Sequence, residues 1–181
     1  PEPEPEMPNY SLTEFNVSNL NWFDIAASDN GQYLYAVVHN GSGIYRSIDG
    51  GSTWSLSKDL SKRWRGIECT ADGSIVVAVT GHYDNNGHHY SLDYGATWAG
   101  GSDSGYTING VIMDLAMSKN STYLIGPNAQ TDNSYWTGFW VNTQGPTASS
   151  TNFYHQSKKN WRCCGISYNG EYGLIFRKDD G

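Results

Sequence analysis

Hydrophobic residues along this chain recur in short runs, not at helical spacing. Residues 33–38 (Tyr-Leu-Tyr-Ala-Val-Val) and 75–79 (Ile-Val-Val-Ala-Val) are aromatic and β-branched, and Gly, Asn, Asp or Ser lie close to each run. That pattern predicts a strand between two turns. Similar stretches predict strands at 23–28, 43–46, 137–141 and 172–176. No period of 3.6 persists, and no apolar run approaches the ~20 residues of a membrane-spanning helix. The expected class is all-β.

The runs repeat. Trp22-Phe-Asp-Ile25-Ala-Ala-Ser28-Asp-Asn-Gly31 aligns with Trp64-Arg-Gly-Ile67-Glu-Cys-Thr70-Ala-Asp-Gly73. Ile112-Met-Asp-Leu115-Ala-Met-Ser118-Lys-Asn-Ser121 and Trp161-Arg-Cys-Cys164-Gly-Ile-Ser167-Tyr-Asn-Gly170 follow. The units start near 22, 64, 112 and 161, so the spacings are 42, 48 and 49. A period of about 40–50 residues is that of a four-stranded propeller blade. Each unit is expected to run from a first strand through a turn such as Asp29-Asn30-Gly31 to a second strand. A variable loop, a third strand, a further turn and a fourth strand complete it.

The last unit stops early. Its second strand is 172–176, although a competing alignment sets 175–181 against 44–50 and ends the chain inside a turn. Residues 10–15 resemble 54–59 and look like a fourth strand whose blade lies elsewhere. An incomplete blade leaves an unpaired edge, which predicts packing against further copies or further propeller sequence. Residues 1–8 form an acidic Pro-Glu tract, a stiff linker ahead of a propeller domain at 9–181.

Two stretches share S-x-D-x-G-x-T-W. They are Ser47-Ile48-Asp49-Gly50-Gly51-Ser52-Thr53-Trp54 and Ser91-Leu92-Asp93-Tyr94-Gly95-Ala96-Thr97-Trp98. The motif resembles the Asp-box, or BNR repeat, of sialidases, sortilin-type receptors, some endoglucanases and photosystem II assembly factors. The resemblance implies a β-propeller and no single activity, because those families do different things on one scaffold. The glycines permit the left-handed conformations of a tight turn. Asp49 and Asp93 can accept turn N–H groups, and Trp54 and Trp98 open the next strand and pack between sheets. On this reading Ser47, Asp49, Gly51, Thr53 and Trp54, with Ser91, Asp93, Gly95, Thr97 and Trp98, hold hairpins and touch no ligand. The equivalent 142–147 of the third unit (Asn-Thr-Gln-Gly-Pro-Thr) lacks both the Asp and the Trp.

Composition narrows the function. Net charge is -7 with scattered basic residues, which argues against nucleic acid and anionic membrane surfaces. The 3 cysteines, Cys69, Cys163 and Cys164, leave at least one thiol unpaired within the chain; a vicinal disulfide and three buried thiols are the alternatives. Asn16, Asn40 and Asn120 begin Asn-x-Ser/Thr sequons, acceptors for N-glycosylation in a eukaryotic secreted protein. These features point to an extracellular or cell-surface setting.

The sialidase resemblance implies three arginines on a substrate carboxylate, a Tyr–Glu nucleophile pair and an Asp acid/base. The family's Arg-Ile-Pro segment is absent. Arg65 and Arg162 share a repeat position, as do Asp24 and Asp114, where Gly66 and Cys163 stand in the other units. The two carboxylates would line a central channel, either as a glycosidase pair or bonded to backbone N–H groups. His82, Asp84, His88 and His89 crowd a loop that could offer metal ligands or be simply solvated; neither metal nor cofactor is expected. Trp136 and Trp140 sit among Tyr135, Phe139, Phe153 and Tyr154, rings that suit sugar stacking and protein contact equally. The expected protein is a non-enzymatic extracellular interaction module whose partners are other chains or copies of itself. A carbohydrate-binding or glycoside-hydrolase propeller fragment is the alternative.

Overall fold

A computed structural model describes residues 20–81, 87–100, 111–129, 138–147, 152–155 and 160–178. Among these residues every regular element is a strand, paired antiparallel, in four successive units.

The first unit holds β1 (Trp22–Ala27), β2 (Leu34–Ser47) and the start of β3 (Ser55–Cys69). Fourteen extended residues would hold their ends ~45 Å apart. Yet Gly50 N–H donates to the Gln32 carbonyl at 3.0 Å, just outside the two ends of β2. So β2 doubles back, and at Gly41 a Cβ would collide with Val38. The loop expected between the second and third strands is thus a tight reversal here.

Residues Ser55–Arg63 of β3 pair with β2, and Trp64–Cys69 pair with β4, so one strand leaves the first unit and becomes the inner strand of the second. That second unit adds β4 (Val76–Thr80), β5 (His88–Ser91) and β6 (Ala99–Gly100). The third is β7 (Val111–Ile112), β8 (Ala116–Met117), β9 (Leu124–Ala129), β10 (Gly138–Asn142) and β11 (Asn152–His155). The fourth pairs β12 (Asn160–Ile166) with β13 (Gly173–Lys178). That pairing makes β13 a second strand and excludes the alignment that ended the chain inside a turn.

The repeat is legible in hydrogen bonds. Ser28, Thr70, Ser118 and Ser167 each donate the side-chain hydroxyl to the Asx oxygen two residues on, at 2.7, 2.7, 2.7 and 3.0 Å. Each hydroxyl also accepts the N–H five residues on, which pins the turn to the start of the second strand. The fourth position of the turn is left-handed each time: Gly31, Gly73, Ser121 and Gly170 have φ of 69°, 78°, 59° and 81°. The inner strands share a bulge one residue past the start, at 22/24, 64/66 and 161/163.

The core lies between units. On β4, Val76 and Ala78 pack with Tyr35, Ile44 and Ile67 toward the first unit. Val77 and Val79 pack with Ile112, Leu115, Met117 and Leu124 toward the third. Alternating side chains point to opposite faces, so a strand covered on both faces is apolar throughout, and 75–79 reads as an unbroken aliphatic run.

Candidate functional site

The inner strands bring acidic groups toward the axis. Asp24 Oδ2 accepts the N–H of Ile67 at 2.9 Å, and Asp114 Oδ2 accepts that of Cys164 at 3.0 Å. Their other oxygens accept the N–H of Ile25 and of Leu115, both at 2.9 Å. Each carboxylate therefore spends both oxygens on backbone, one on its own strand and one on the next unit. Burial raises the Asp24 carboxyl, against the two N–H bonds that lower it.

Glu68 joins them from the second unit. Burial pushes its carboxyl up to about 7, with the Lys119 ammonium opposing and Asp24 and Asp114 adding to the rise. Lys119 Nζ donates to the Cys69 carbonyl at 3.3 Å. Glu68 is not among the site residues expected from sequence; it is the one carboxylate of the segment Trp64–Cys69, where Arg65 is the other charge.

At the turns, Ser47 and Ser91 are the buried members of the Asp-box, 2% and 1% exposed. Each hydroxyl donates to the box aspartate, at 2.8 and 2.7 Å, and accepts the N–H of Gly51 or Gly95 at 2.8 Å. Asp49 accepts Thr53 N–H and Oγ1–H at 2.9 and 2.6 Å; Asp93 does the same with Thr97 at 2.8 and 2.6 Å. Those hydroxyl and N–H donors hold the Asp93 carboxyl down to about 2. Gly50, Tyr94 and Gly145 donate N–H groups to the Gln32, Ser74 and Thr122 carbonyls at 3.0, 3.0 and 3.2 Å. The third unit thus keeps the docking without the motif: Asn142 stands where Ser47 does, and its Oδ1 accepts Gln144 N–H at 2.9 Å.

The two box tryptophans differ. Trp98 Nε1 reaches back to Ser57 Oγ of the first unit at 2.8 Å. Trp54 has no described unit behind it and donates to its own Gly51 carbonyl at 3.1 Å. Its ring lies 6.2 Å from that of Trp22. With Phe23, Asp24, Ile25 and Ala36 these two rings line a pocket of about 260 Å³ on the face of the first unit turned away from the second.

His88 and His89 are buried strand residues of β5, not part of a solvated loop. Successive residues face opposite ways: His88 Nε2 lies 3.1 Å from the Pro146 carbonyl, while the His89 ring meets Trp64 edge-on at 5.1 Å. They do not converge, and no cluster of three metal-ligating side chains exists among the described residues. His82 and Asp84 lie outside those residues, as do Trp136, Tyr135, Asn16 and residues 1–19. Trp140 is on β10 and Asn40 on β2. Asn120 is exposed, its Oδ1 accepting from Ser118 and Thr122. Arg65 lies over the Phe23 ring at 5.4 Å and Arg162 is exposed on the fourth unit. All three thiols are free, and Cys163 is exposed rather than buried because it faces away from the third unit.

The geometry matches known proteins as a scaffold. A chain of a nidogen/laminin complex superposes with TM-score 0.63 at 13% identity, over 84% of this chain and 54% of that one. TolB of Acinetobacter baumannii gives 0.63 at 11%, over 90% and 39%. The fold is a β-propeller. A GH74 enzyme of Niastella koreensis gives 0.60 at 14% identity, over 87% of this chain and 26% of the enzyme. Vacuolar protein sorting/targeting protein 10 of Lodderomyces elongisporus is 31% identical over 85 residues, 47% of this chain and 5% of that protein. No family model matches the chain. The propeller described here therefore spans only part of each of these relatives.

Proposed function

We propose that this chain is a non-enzymatic interaction module on an Asp-box propeller scaffold, working in a larger assembly in a secretory or extracellular setting. The observation that carries this is the uncovered apolar face of the first unit, where Trp22, Phe23, Ile25 and Trp54 surround an open pocket. Exposed apolar surface of this kind marks a protein contact. The likeness to a vacuolar sorting protein and to a nidogen/laminin complex supports a protein partner and a secretory route. A hydrolase reading would need Asp24 and Asp114 as its acid and base, and both have their oxygens engaged by backbone N–H groups.

Two measurements test the reading. Purified chain is expected to show no turnover of sialosides or β-glucans, and to sediment as more than a monomer with a melting temperature that falls on dilution. Turnover lost in Asp24→Asn would overturn it, as would a monomer indifferent to dilution. The paired Trp22 and Trp54 rings also favour a second reading, stacking on a pyranose face. A glycan array on which signal disappears in Trp54→Ala, while the chain stays monomeric, would replace the first reading with that one.

A further inference from the structure

Turns of successive units meet at equivalent places of the repeat. Gly50, Tyr94 and Gly145 correspond, each donating its N–H to the carbonyl of Gln32, Ser74 or Thr122. Gly31, Gly73 and Ser121 are the corresponding left-handed residues of the first turns. Two positions beyond these stand Tyr33, Ile75 and Tyr123.

Between the first and second units, two rings fill the space at this place. Tyr33 lies so close over Gly73 that a Cβ there would stand 2.8 Å from the Tyr33 Cβ. Tyr94, from the Asp-box of the second unit, sets its ring on that of Tyr33, with centroids 4.6 Å apart and planes at 34°. Between the second and third units all three residues differ. Ile75 takes the place of Tyr33, Gly145 that of Tyr94, and Ser121 that of Gly73. Both rings are gone, and with no ring over the turn Ser121 carries a side chain where Gly73 cannot.

The lost volume is not recovered. A cavity of about 370 Å³ opens there, lined by Ile75, Leu92, Ser121, Thr122, Gln144 and Gly145. The turn on its far side does not settle inward, because it is fixed at two points. Gly145 N–H donates to the Thr122 carbonyl at 3.2 Å, and His88 Nε2 of the second unit lies 3.1 Å from the Pro146 carbonyl. Ile75 and Leu92 make one side of the gap apolar, and Thr122 and Gln144 make another polar. Ligand pockets run from ~300 Å³ upward. A ring entering from outside would bury its faces on the apolar side and turn its hydroxyl to the polar one.

We propose that this gap is a docking site for a tyrosine side chain of a partner protein. The molecule itself displays the occupant. At the equivalent place the first two units hold a tyrosine ring, delivered by a turn of the neighbouring blade, and in the third unit that turn carries glycine. A protein segment that presents tyrosine restores the missing contact. The site has a described unit on either side and lies apart from the apolar face of the first unit. It rests on the interaction-module reading and adds the chemistry of the partner.

The probe is N-acetyl-L-tyrosinamide, titrated into the whole chain and followed by backbone amide NMR shifts. Saturable shifts are expected at Ser121, Thr122 and Gly145, half complete at roughly millimolar probe. Gly145→Tyr fills the gap from within, in the left-handed conformation that Tyr94 already adopts, and is expected to abolish the shifts. A Cβ there would stand 3.2 Å from the Ser121 carbonyl oxygen, so the turn must give slightly. Ile75→Tyr combined with Ser121→Gly fills the gap from the other side, as Tyr33 and Gly73 do, and reports the same loss if Gly145→Tyr does not fold. Tyr94→Gly empties the first gap and is expected to add a second set of shifts, at Gly73 and Gly95; its absence overturns the equivalence of the two gaps and the proposal with it. No saturable shift in the wild-type chain overturns the proposal, as do shifts that survive both filling variants. A capped tripeptide with a central tyrosine is expected to bind about threefold tighter than p-cresol, the gain of one further hydrogen bond. The reverse order makes this a site for a free phenol and overturns the protein partner. Methyl glucoside giving the same shifts at lower concentration than either overturns the aromatic ring in favour of a pyranose. Every one of these failures leaves the interaction module to be judged separately, by its self-association and lack of turnover.

Discussion

Asp24 and Ile67 stand 43 positions apart, and the carboxylate of one accepts the backbone N–H of the other at 2.9 Å. The bond joins two blades at their inner strands. Ile67 is fully buried, so its N–H has no water to fall back on. Asp24→Ala is therefore expected to cost about 1–3 kcal/mol, the range for stranding a buried donor. Asp114→Ala should act in the same direction through the half-buried Cys164. Chemical denaturation measures both, and a change within error would mean that solvent reaches these donors.

In the Asp-box, the serine should matter more than the aspartate that names it. Ser47 and Ser91 are buried and satisfy a buried glycine N–H, whereas Asp49 and Asp93 bond to exposed threonines that water can serve. Ser91→Ala is expected to cost about 1–3 kcal/mol, and Asp93→Ala distinctly less. Comparing melting temperatures of the two variants decides the order.

Ser121 holds a left-handed conformation, φ 59°, in a turn whose three counterparts use glycine. Ser121→Gly is expected to stabilise by about 0.5–1 kcal/mol, the strain relieved less the entropy that glycine adds to the unfolded chain. Tyr94, at φ 58°, is the contrasting case. Its ring lies 4.6 Å from that of Tyr33, so Tyr94→Gly should bring no such gain. Parallel urea titrations of the two variants provide the comparison.

Two buried groups set opposite pH slopes. His89 is pushed down to about 4 by burial, with Lys58, His88 and Lys62 adding. Between pH 4 and 6.5 the unfolded chain binds a proton there that the folded chain does not, so His89 makes stability fall as pH falls through that window. Glu68 runs the other way: with its carboxyl at about 7 rather than 4.5, the folded state keeps a proton that the unfolded chain has lost, and stability falls as pH rises from 4.5 to 7. Glu68→Gln is expected to steepen the loss between pH 6.5 and 4. Above pH 7 it should be more stable than wild type by about 1–3 kcal/mol, each pKa unit being worth about 1.4. Thermal melts across pH 4–8 report both effects; identical slopes in wild type and variant would refute the assignment.

Sequence alone determined the repeat, the strand-rich class and the turns, because these rest on interactions within a few residues. The hydroxyl–Asx–glycine pattern at 28–31, 70–73 and 167–170 writes a turn wherever it occurs, and it put each second strand within a residue or so of its place. A third-unit turn that had lost the Asp and the Trp still forms, because Asn142 supplies an oxygen at the buried serine's position. What the tertiary structure decided was which faces are covered. Ile25, Ile67 and Leu115 are branched aliphatics at the same repeat position, yet two are buried and one is exposed, since burial depends on a neighbouring blade and not on the residue. The roles of Asp24 and Asp114, the buried strand positions of His88 and His89, and the displaced proton of Glu68 have the same origin. Each is set largely by groups tens of residues away in the chain, at separations that local pattern does not encode.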